Sequence, residues 1–334
     1  MILIFCDNQD NSATMVLDWL LTWGIPFLVV TSDQQLKITS IHSLDDPIFE
    51  FSLNGQGFST SEIKAVWYRR SLPSIVFDRP NYSGISDHPF LDQLNRYLEC
   101  EESAIDAEFR EALSTIPSLG SPFHCGERTI RDLSAYSSVG GRVPRTLITS
   151  RKNELLHFWQ QCSHSVVVKK INYGFYADLQ DAFYGQFTEL LTPAHIEQLP
   201  DQFGLTLFQE VIYKSLELRI YVLREQFYTM AIFSQDDPQT KIDFRNYNEL
   251  NPNRTSPYEL PDDIKELVRS FMLVIGTNSG SIDMVLTPEN EYVFLEINTI
   301  GQFGMVSQVC NFNFEKAIAH ELCRIANASV GLSK

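Results

Sequence analysis

The chain has 334 residues, an apolar content of 44% and a formal net charge of −16. This length exceeds what a single hydrophobic core usually serves, so we expect two or three lobes, and the negative charge makes nucleic acid a poor partner. The six cysteines form no CxxC pair, which argues against a zinc ribbon and a disulfide scaffold and predicts a cytoplasmic protein. No apolar run reaches membrane-spanning length, so we expect no membrane partner.

The N-terminal segment predicts a strand, a helix and a second strand. Ile2 to Phe5 is a compact apolar run that indicates a buried strand, and Ser12 or Thr14 can cap the helix that follows. Gly24-Ile25-Pro26 ends that helix, and Phe27 to Val30 is the next apolar run. This spacing predicts a βαβ unit with parallel strands. Because no GxGxxG loop is present, we expect a Rossmann-like lobe that supports the site rather than one that binds a dinucleotide.

Two adjacent arginines end the next predicted strand, which runs from Ile63 to Arg70. A solvated strand end is the ordinary interpretation of such a pair. However, ligands of open α/β sheets gather at the carboxyl ends of the strands, and guanidinium groups suit phosphate and carboxylate. Arg69 and Arg70 are therefore candidate site residues.

A Pro-, Gly- and Ser-rich stretch from Pro117 to Gly126 predicts a boundary between lobes. It follows a charged, periodic segment from 91 to 114 that indicates a helix. We therefore predict an N-terminal α/β lobe at 1–120. The division of the rest into a central lobe at 121–206 and a C-terminal lobe at 207–334 is what a family resemblance of the segment from Gly204 to Ile212 implies. The fold class expected is α/β overall, and α+β in the last two lobes.

A strand in the central lobe closes on two lysines. The apolar run Val166-Val167-Val168 is followed by Lys169 and Lys170. Their side chains face opposite sides, because strands alternate with a two-residue period. Solvation is the ordinary explanation for a lysine at a strand end, so only the wider pattern can assign one of them to a site.

The C-terminal lobe repeats charged residues at a spacing of two. Glu217 and Arg219 share one face of an alternating strand. Lys241, Asp243 and Arg245 alternate in the same way, so we expect an extended segment that carries its charges on one face.

The stretch from Gly280 to Asn298 carries the strongest pattern in the sequence. It reads as two short apolar strands around a Pro-containing turn, so it predicts a β-hairpin. Glu296 and Asn298 share a face of the second strand, and folding the hairpin back brings Asp283 level with Leu295 or Glu296. Two carboxylates and a carboxamide then converge, as suits Mg²⁺ with a nucleotide. A solvated polar face is the alternative, but the neighbouring residues are apolar on both faces.

Several of these motifs resemble the ATP-grasp ligases. Gly280-Ser281-Ile282-Asp283 followed by Phe294-Leu295-Glu296-Ile297-Asn298 is similar to the metal-binding end of that family. The run from Glu296 to Gly304 resembles the maturases of graspetides, which are ribosomal peptides of microviridin type cross-linked through side chains. Thr299 stands where the family usually has proline, a departure that touches loop geometry and not a ligand. The likeness extends from about Val143 to Phe303 and is looser in the first lobe.

The resemblance implies an ATP-grasp fold with a Rossmann-like N-terminal lobe and assigns roles at its metal end. Asp283, Glu296 and Asn298 would hold Mg²⁺ on the phosphates of ATP. Lys169, which ends an apolar strand as the family's lysine does, would reach the α- and β-phosphates. A lid over the phosphates would lie between Asn172 and Gln186, where few glycines occur, so side chains or the peptide substrate would complete it.

The resemblance also assigns the nucleoside end of the site. Gly204 to Ile212 is similar to the family's hinge, and Glu217 matches the acid that binds the ribose hydroxyls. The hinge residues that would meet the adenine edge are Gln209, Glu210, Val211 and Ile212.

The remaining assignments concern arginines. Arg219 would contact phosphates or pair with an acid, and Arg245 matches the family's Asp-x-Arg and would serve the γ-phosphate and acyl phosphate. Because a Trp-Tyr-Arg-Arg signature of this kind recurs in graspetide maturases, Arg69 or Arg70 would join the site.

The resemblance therefore implies an ATP-dependent ligase that acts on a ribosomal precursor peptide with a leader and a core. It would phosphorylate an Asp or Glu side chain and join it to a Thr or Ser hydroxyl or a Lys amine. Two further functions stay open: a ligase that adds an amino acid to a peptide or small molecule, and a non-catalytic nucleotide-binding regulatory protein. A second copy of the chain, as a homodimer, is kept open as a partner.

Overall fold

The computed structural model describes residues 1–43, 45–70, 75–77, 90–124, 128–171, 176–179, 182–185, 188–246 and 248–327. The chain forms two compact units, Met1–Cys125 with Asn313–Lys334, and Gly126–Phe312. The three-lobe division at 1–120, 121–206 and 207–334 is finer than this and stays a prediction. None of the helices within the described ranges is both long and apolar enough to cross a membrane.

Two four-stranded sheets and three α-helices make up the described part of the first unit. Its elements are β1 (Ile2–Cys6), α1 (Asn11–Thr22), β2 (Phe27–Thr31), β3 (Leu36–His42), β4 (Ile48–Leu53), β5 (Gln56–Ser59), β6 (Ala65–Tyr68), β7 (Ile75–Val76), α2 (Phe90–Ser114), β8 (Ser118–Leu119) and α8 (Phe314–Ile325). One sheet is parallel in the order β2-β1-β6-β8, and the other has the order β5-β4-β3-β7.

The predicted βαβ unit is confirmed, because β1 and β2 pair in parallel along their whole length. The predicted caps of α1 are wrong. Asp10 caps the helix, with its Oδ1 accepting a hydrogen bond from Ala13 N at 3.1 Å, whereas Ser12 and Thr14 lie inside the first turns. A carboxylate is favoured in this place because the helix N-terminus is positive.

Aromatic side chains hold the helices of the first unit. The helix predicted at 91–114 is α2, whose Phe109 packs against Phe49 and Phe51 with ring centroids 5.3 and 5.9 Å apart. The C-terminal helix α8 packs on α1, where His320 lies on Trp23 with ring centroids 4.4 Å apart. Residues from both ends of the chain therefore build one unit.

Two larger sheets, a two-stranded hairpin and five α-helices make up the described part of the second unit. Its elements are α3 (Thr129–Ser138), β9 (Thr146–Arg151), α4 (Lys152–Gln161), β10 (Val166–Lys169), β11 (Tyr176–Leu179), β12 (Ala182–Gly185), β13 (Glu189–Leu190), α5 (Pro193–Gln198), β14 (Gln202–Glu210), β15 (Leu216–Leu223), β16 (Gln226–Phe233), β17 (Arg254–Tyr258), α6 (Asp262–Ile275), β18 (Ser279–Leu286), β19 (Tyr292–Asn298) and α7 (Gly304–Cys310). The larger sheets are antiparallel, in the orders β13-β10-β14-β9 and β17-β16-β15-β18-β19.

The hairpin predicted between Gly280 and Asn298 is confirmed as β18 and β19. Asp283 lies opposite Glu296, and the register shifts between Asp283 and Met284, so that one residue of β19 is extra. Apolar side chains of both strands lie in the buried core of the unit, namely Ile282, Met284, Phe294 and Ile297. The two carboxylates are therefore carried by strands that the core holds in place.

A tyrosine of α3 completes the core beside this hairpin. Tyr136 is fully buried, and its ring stacks on Phe294 with centroids 4.6 Å apart. Gly141 follows α3, and a Cβ placed there would overlap the Tyr136 ring. The chain can pass this close to the ring only because the residue has no side chain.

Candidate functional site

An open cleft in the second unit brings most of the candidate residues together. Strands of both larger sheets of this unit contribute residues to its lining. The predicted site residues that line it are Lys169, Gln209, Glu210, Val211, Ile212, Glu217, Arg245, Asp283 and Glu296.

Three cations surround the two carboxylates of the hairpin. Arg219 Nη1 lies 3.4 Å from Asp283 Oδ2, and Arg245 Nη1 lies 3.2 Å from Glu296 Oε1. Lys169 Nζ lies 3.8 Å from Glu296 Oε2. Arg219 does not line the cleft itself, so it acts there through Asp283.

The two carboxylates differ in their affinity for a proton. Burial raises the pKa of Asp283 to about 6, although the charge of Arg219 opposes the shift. Burial acts in the same direction on Glu296, but the charges of Lys169 and Arg245 outweigh it and hold the pKa of Glu296 below its usual value. Glu296 is therefore the more acidic of the pair.

The oxygen donors suit a divalent cation whose other ligands come from outside the protein. Asp283 Oδ1 is buried and receives no hydrogen bond from any residue that the structure describes. Within the same ranges, no group of three or more His, Cys, Asp or Glu side chains is arranged to hold a metal alone. Mg²⁺ commonly takes one or two carboxylates and completes its shell with phosphates and water. Asp283 and Glu296 fit that requirement.

Asn298, the third predicted ligand, follows Glu296 by two residues on β19 but is not among the residues that line the cleft. Its Oδ1 accepts a hydrogen bond from Ile300 N at 3.1 Å, which shapes the turn after the strand. An amide oxygen has two lone pairs, so a second partner can still bind it. Its role as a metal ligand stays a prediction.

Within the described ranges, the ammonium of Lys169 donates no hydrogen bond. The side chain is 10% exposed, and the distance of 3.8 Å to Glu296 Oε2 is longer than a hydrogen bond. Lys170 follows the end of β10 and does not line the cleft, although its charge helps to lower the pKa of Glu296. The assignment of Lys169 rather than Lys170 to an anion stays a prediction that this geometry favours.

The predicted hinge is the end of β14 and the residues after it. Gln209 is buried, and its Nε2 donates to Thr146 Oγ1 at 3.1 Å. Both carboxylate oxygens of Glu210 are held by Arg145, whose backbone N and Nε donate to them at 2.9 and 2.7 Å. These side chains are engaged, and Glu210 N and Val211 N donate to Arg145 O and Ser165 O, each at 3.0 Å. A nucleobase could therefore meet only the other backbone groups of the hinge.

Glu217 has a lysine partner that the sequence analysis missed. Lys214 Nζ lies 2.9 Å from Glu217 Oε1, and Ser234 Oγ donates to the same oxygen at 2.6 Å. Burial raises the pKa of Glu217, whereas Lys214 and Ser234 oppose the shift. The spacing of three residues between Lys214 and Glu217 was the only signal for this contact.

The segment from 241 to 245 is not the extended strand that its alternating charges predicted. It is irregular, and Arg245 folds back onto Asp243. The backbone N and Nε of Arg245 donate to Asp243 Oδ1 at 3.0 and 2.9 Å, and its Nη2 donates to Oδ2 at 2.8 Å. A turn of two residues lets one carboxylate bind both the backbone and the guanidinium, which a flat strand cannot do. Asp243 therefore fixes Arg245 and leaves Nη1 for Glu296.

Arg69 and Arg70 lie in the first unit, directly after β6. Arg69 is 3% exposed, and its Nη2 lies 3.0 Å from Asp10 Oδ2. Arg70 Nε lies 3.1 Å from the same oxygen and 3.0 Å from Asp7 Oδ2. Both arginines are thus bound to Asp10, the N-cap of α1, and Arg70 also to Asp7 in the loop before it; their role toward a substrate stays a prediction.

The predicted lid between Asn172 and Gln186 is described only in part. The backbone of β11 and β12 pairs as an antiparallel hairpin. The rest of that lid, 172–175, 180–181 and 186, lies outside the described residues.

No family model matches the sequence. Among curated proteins, the chain is 23% identical over 207 residues to the alpha-aminoadipate–LysW ligase LysX of Sulfurisphaera tokodaii, an alignment that covers 59% of this chain and 67% of that protein. The LysX ligase of Sulfolobus acidocaldarius is 24% identical over 208 residues, an alignment that covers 60% of this chain and 70% of that protein.

Solved structures match over almost the whole chain. A RiPP-associated ATP-grasp ligase of Chryseobacterium gregarium, in complex with ADP and a leader and core peptide, is 26% identical with a TM-score of 0.74, covering 97% of this chain and 96% of that one. The macrocyclase MdnC of Microcystis aeruginosa, bound with its precursor peptide MdnA, is 25% identical with a TM-score of 0.72. The match covers 97% of this chain and 99% of that one. The ATP-grasp ligase PsnB, at 16% identity and a TM-score of 0.66, shows the same fold.

These likenesses agree with the motifs in the sequence and with the cleft that gathers them. The α/β architecture expected from the sequence is the ATP-grasp fold, and the neighbours at 25% identity or more are ligases and macrocyclases. The chain has the ATP-grasp fold and is an ATP-dependent carboxylate ligase, similar to RiPP-associated ATP-grasp ligases and macrocyclases.

Proposed function

We propose that this ligase matures a ribosomal precursor peptide by joining an Asp or Glu side chain of the core to a Thr or Ser hydroxyl or to a Lys amine. The observation that carries the proposal is the pair of opposed carboxylates, Asp283 and Glu296, in one cleft with Lys169 and the hinge. The likeness to ligases solved with precursor peptides, which extends over almost the whole chain, supports a peptide substrate.

The reaction has two steps. A carboxylate oxygen of the peptide attacks the γ-phosphorus of ATP, the bond from that phosphorus to the bridging oxygen breaks, and ADP leaves. The second side chain then attacks the carbonyl carbon of the acyl phosphate and loses its proton, and inorganic phosphate departs with the electron pair of the C–O bond. The peptide loses one water for each ring, while ATP becomes ADP and phosphate.

Positive charge is needed because a carboxylate and a triphosphate repel each other strongly in a cleft of low dielectric. Lys169 lines the cleft and donates no hydrogen bond to a described residue, and Arg245 is held in one orientation by Asp243. We assign Arg245 to the acyl phosphate, because a donor fixed before the reaction costs no reorganisation during it. Mg²⁺ on Asp283 and Glu296 would neutralise charge on the phosphates.

A second candidate function is the addition of an amino acid to a peptide or small molecule. The similarity to two LysX ligases is the observation that favours it. It would use the same acyl phosphate and would differ only in the amine that attacks. The mass of the product separates the two functions, since a ring removes water and an added amino acid increases the mass.

The test is incubation of the purified protein with Mg²⁺, ATP and a candidate precursor whose core contains Thr or Ser or Lys together with Asp or Glu. We expect mass spectrometry to detect the loss of one water per ring, and tandem fragmentation with hydrolysis to distinguish esters from amides. ADP should form in proportion to rings.

Glu296→Gln is the matched control, because it keeps the shape of the side chain and removes its charge. It should form neither ADP nor rings while remaining folded. Wild-type protein that consumes ATP yet leaves every precursor unmodified would refute the proposed function. The cytoplasmic location and the homodimer stay predictions, and size-exclusion chromatography tests the second of them.

A further inference from the structure

Lys214 is a buried lysine of the cleft to which the proposed reaction gives no role. Its side chain is 7% exposed. Burying an ammonium costs free energy unless a charged partner and hydrogen-bond acceptors surround it. Lys214 has both, because its Nζ lies 2.9 Å from Glu217 Oε1 and donates to Ile242 O at 3.0 Å.

The contacts of Glu217 are divided unequally between its two oxygens. Lys214 Nζ and Ser234 Oγ both bind Oε1. No residue that the structure describes donates a hydrogen bond to Oε2. The carboxylate is thus fixed through one oxygen, and the other is left to accept a hydrogen bond from a ligand that has a hydroxyl.

The second contact of Lys214 fixes the ammonium from the opposite side. Ile242 belongs to the irregular 241–245 segment. Gln235 holds the same segment, because Gln235 Nε2 donates a hydrogen bond to Lys241 O at 3.2 Å. The same Nε2 lies 3.2 Å from Ser234 Oγ, the other donor to Glu217. A lysine stem is flexible, so these acceptors decide where its charge lies.

We propose that Lys214 is a positioning residue for ribose recognition: with Ser234 it holds Oε1 of Glu217, so that Oε2 accepts a hydrogen bond from a ribose hydroxyl of the bound nucleotide. The inference rests on the proposed function in taking the ligand to be an adenine nucleotide whose ribose lies at Glu217. It assigns Lys214 a task in specificity that precedes any chemistry on the peptide.

The experiment measures calorimetric affinities for Mg²⁺ with ADP, 2′-deoxy-ADP and 3′-deoxy-ADP, which differ only in one ribose hydroxyl. We expect wild-type protein to bind ADP roughly tenfold or more tightly than at least one deoxy analogue, because the analogue lacks one hydrogen bond to a charged group. Glu217→Gln and Lys214→Met should each lose that preference. The double variant should be no worse than either single variant, because both act through one carboxylate.

Lys152→Met is the matched control. Like Lys214, Lys152 donates to backbone oxygen: its Nζ lies 3.1 Å from Glu197 O and 2.8 Å from Leu199 O, but the residue does not line the cleft. It should keep the wild-type preference for ADP. If Lys214→Met does not fold, Lys214→Gln keeps a donor without the charge and should also weaken the preference.

A lysine that only stabilises the fold would leave the ratio of ADP to deoxy-ADP affinities unchanged. That result, or losses that add in the double variant, overturns the inference. Wild-type protein that binds ADP but forms no rings overturns the proposed function and leaves this measurement valid. Wild-type protein that binds no ADP overturns both.

Discussion

Replacing Lys169 by alanine should weaken nucleotide binding far more than replacing its neighbour Lys170. Lys169 ends β10 inside the cleft and is 10% exposed, whereas Lys170 does not line the cleft. The ammonium of Lys169 makes no hydrogen bond to a described residue, and its contact with Glu296 is a charge contact at 3.8 Å. A phosphate oxygen would therefore give it a hydrogen bond that the free protein does not provide.

The size of the effect follows from that contact. Two unit charges about 4 Å apart interact by about 4 kcal/mol at an effective dielectric of 20, which bounds the gain before desolvation is subtracted. The net value of a hydrogen bond to a charged group is about 1.5 to 3 kcal/mol. Lys169→Ala should therefore reduce the affinity by roughly 10- to 150-fold, and Lys170→Ala by about threefold at most.

The assay is calorimetric titration of both variants with a non-hydrolysable ATP analogue and Mg²⁺. Circular dichroism and a thermal melt should first establish that each variant is folded. The reverse ordering of the two affinities would move the phosphate contact to Lys170. Equal, small losses would mean that neither lysine binds the nucleotide and that the geometry of β10 has been misinterpreted.

Further predictions concern packing, catalysis and thiol chemistry. Gly141→Ala should lower the free energy of unfolding by about 1 to 3 kcal/mol in chemical denaturation, because its Cβ would overlap the buried Tyr136 ring. Gly204→Ala is the control and should be neutral, because the space around Gly204 is open. Arg245→Ala should retain most nucleotide binding but slow ring formation about 100-fold by mass spectrometry, and normal rings would make it a structural residue only. Cys6 should resist iodoacetamide at pH 8, because burial raises the pKa of Cys6 to about 11 and the thiolate forms only as the pH approaches that value. Peptide mapping should detect alkylation of the exposed Cys100 under the same conditions.

The pairing of the two hairpin carboxylates could be predicted from the sequence to within one residue, because its information is local. A hairpin places residues opposite each other by the two-residue period of its strands, so Asp283 and Glu296 follow from the position of the turn. Their buried neighbours also follow, since Ile282 and Phe294 belong to apolar runs. The hinge at the end of β14 has a different origin: it was assigned from the resemblance to ATP-grasp ligases, and its role stays a prediction.

The supporting contacts could not be predicted, because they come from irregular backbone. Asp243 binds Arg245 through a turn, although their spacing of two suggested a strand. Lys214 meets the carbonyl of Ile242, which lies far from it along the chain and in no regular element. Asp10 displaced two expected caps because its carboxylate is the stronger acceptor at a helix N-terminus.

The packing of α8 on α1 determines the order in which the chain can fold as it is synthesised. Residues of the second unit leave the ribosome before α8 does, so that unit can be complete while the first is still waiting for its last helix. At common translation rates, roughly 15 to 60 s separate the emergence of α1 from that of α8. During this interval Trp23 lacks the ring of His320 that covers it in the finished protein. The nascent chain therefore presents an apolar face to which a holding chaperone can bind.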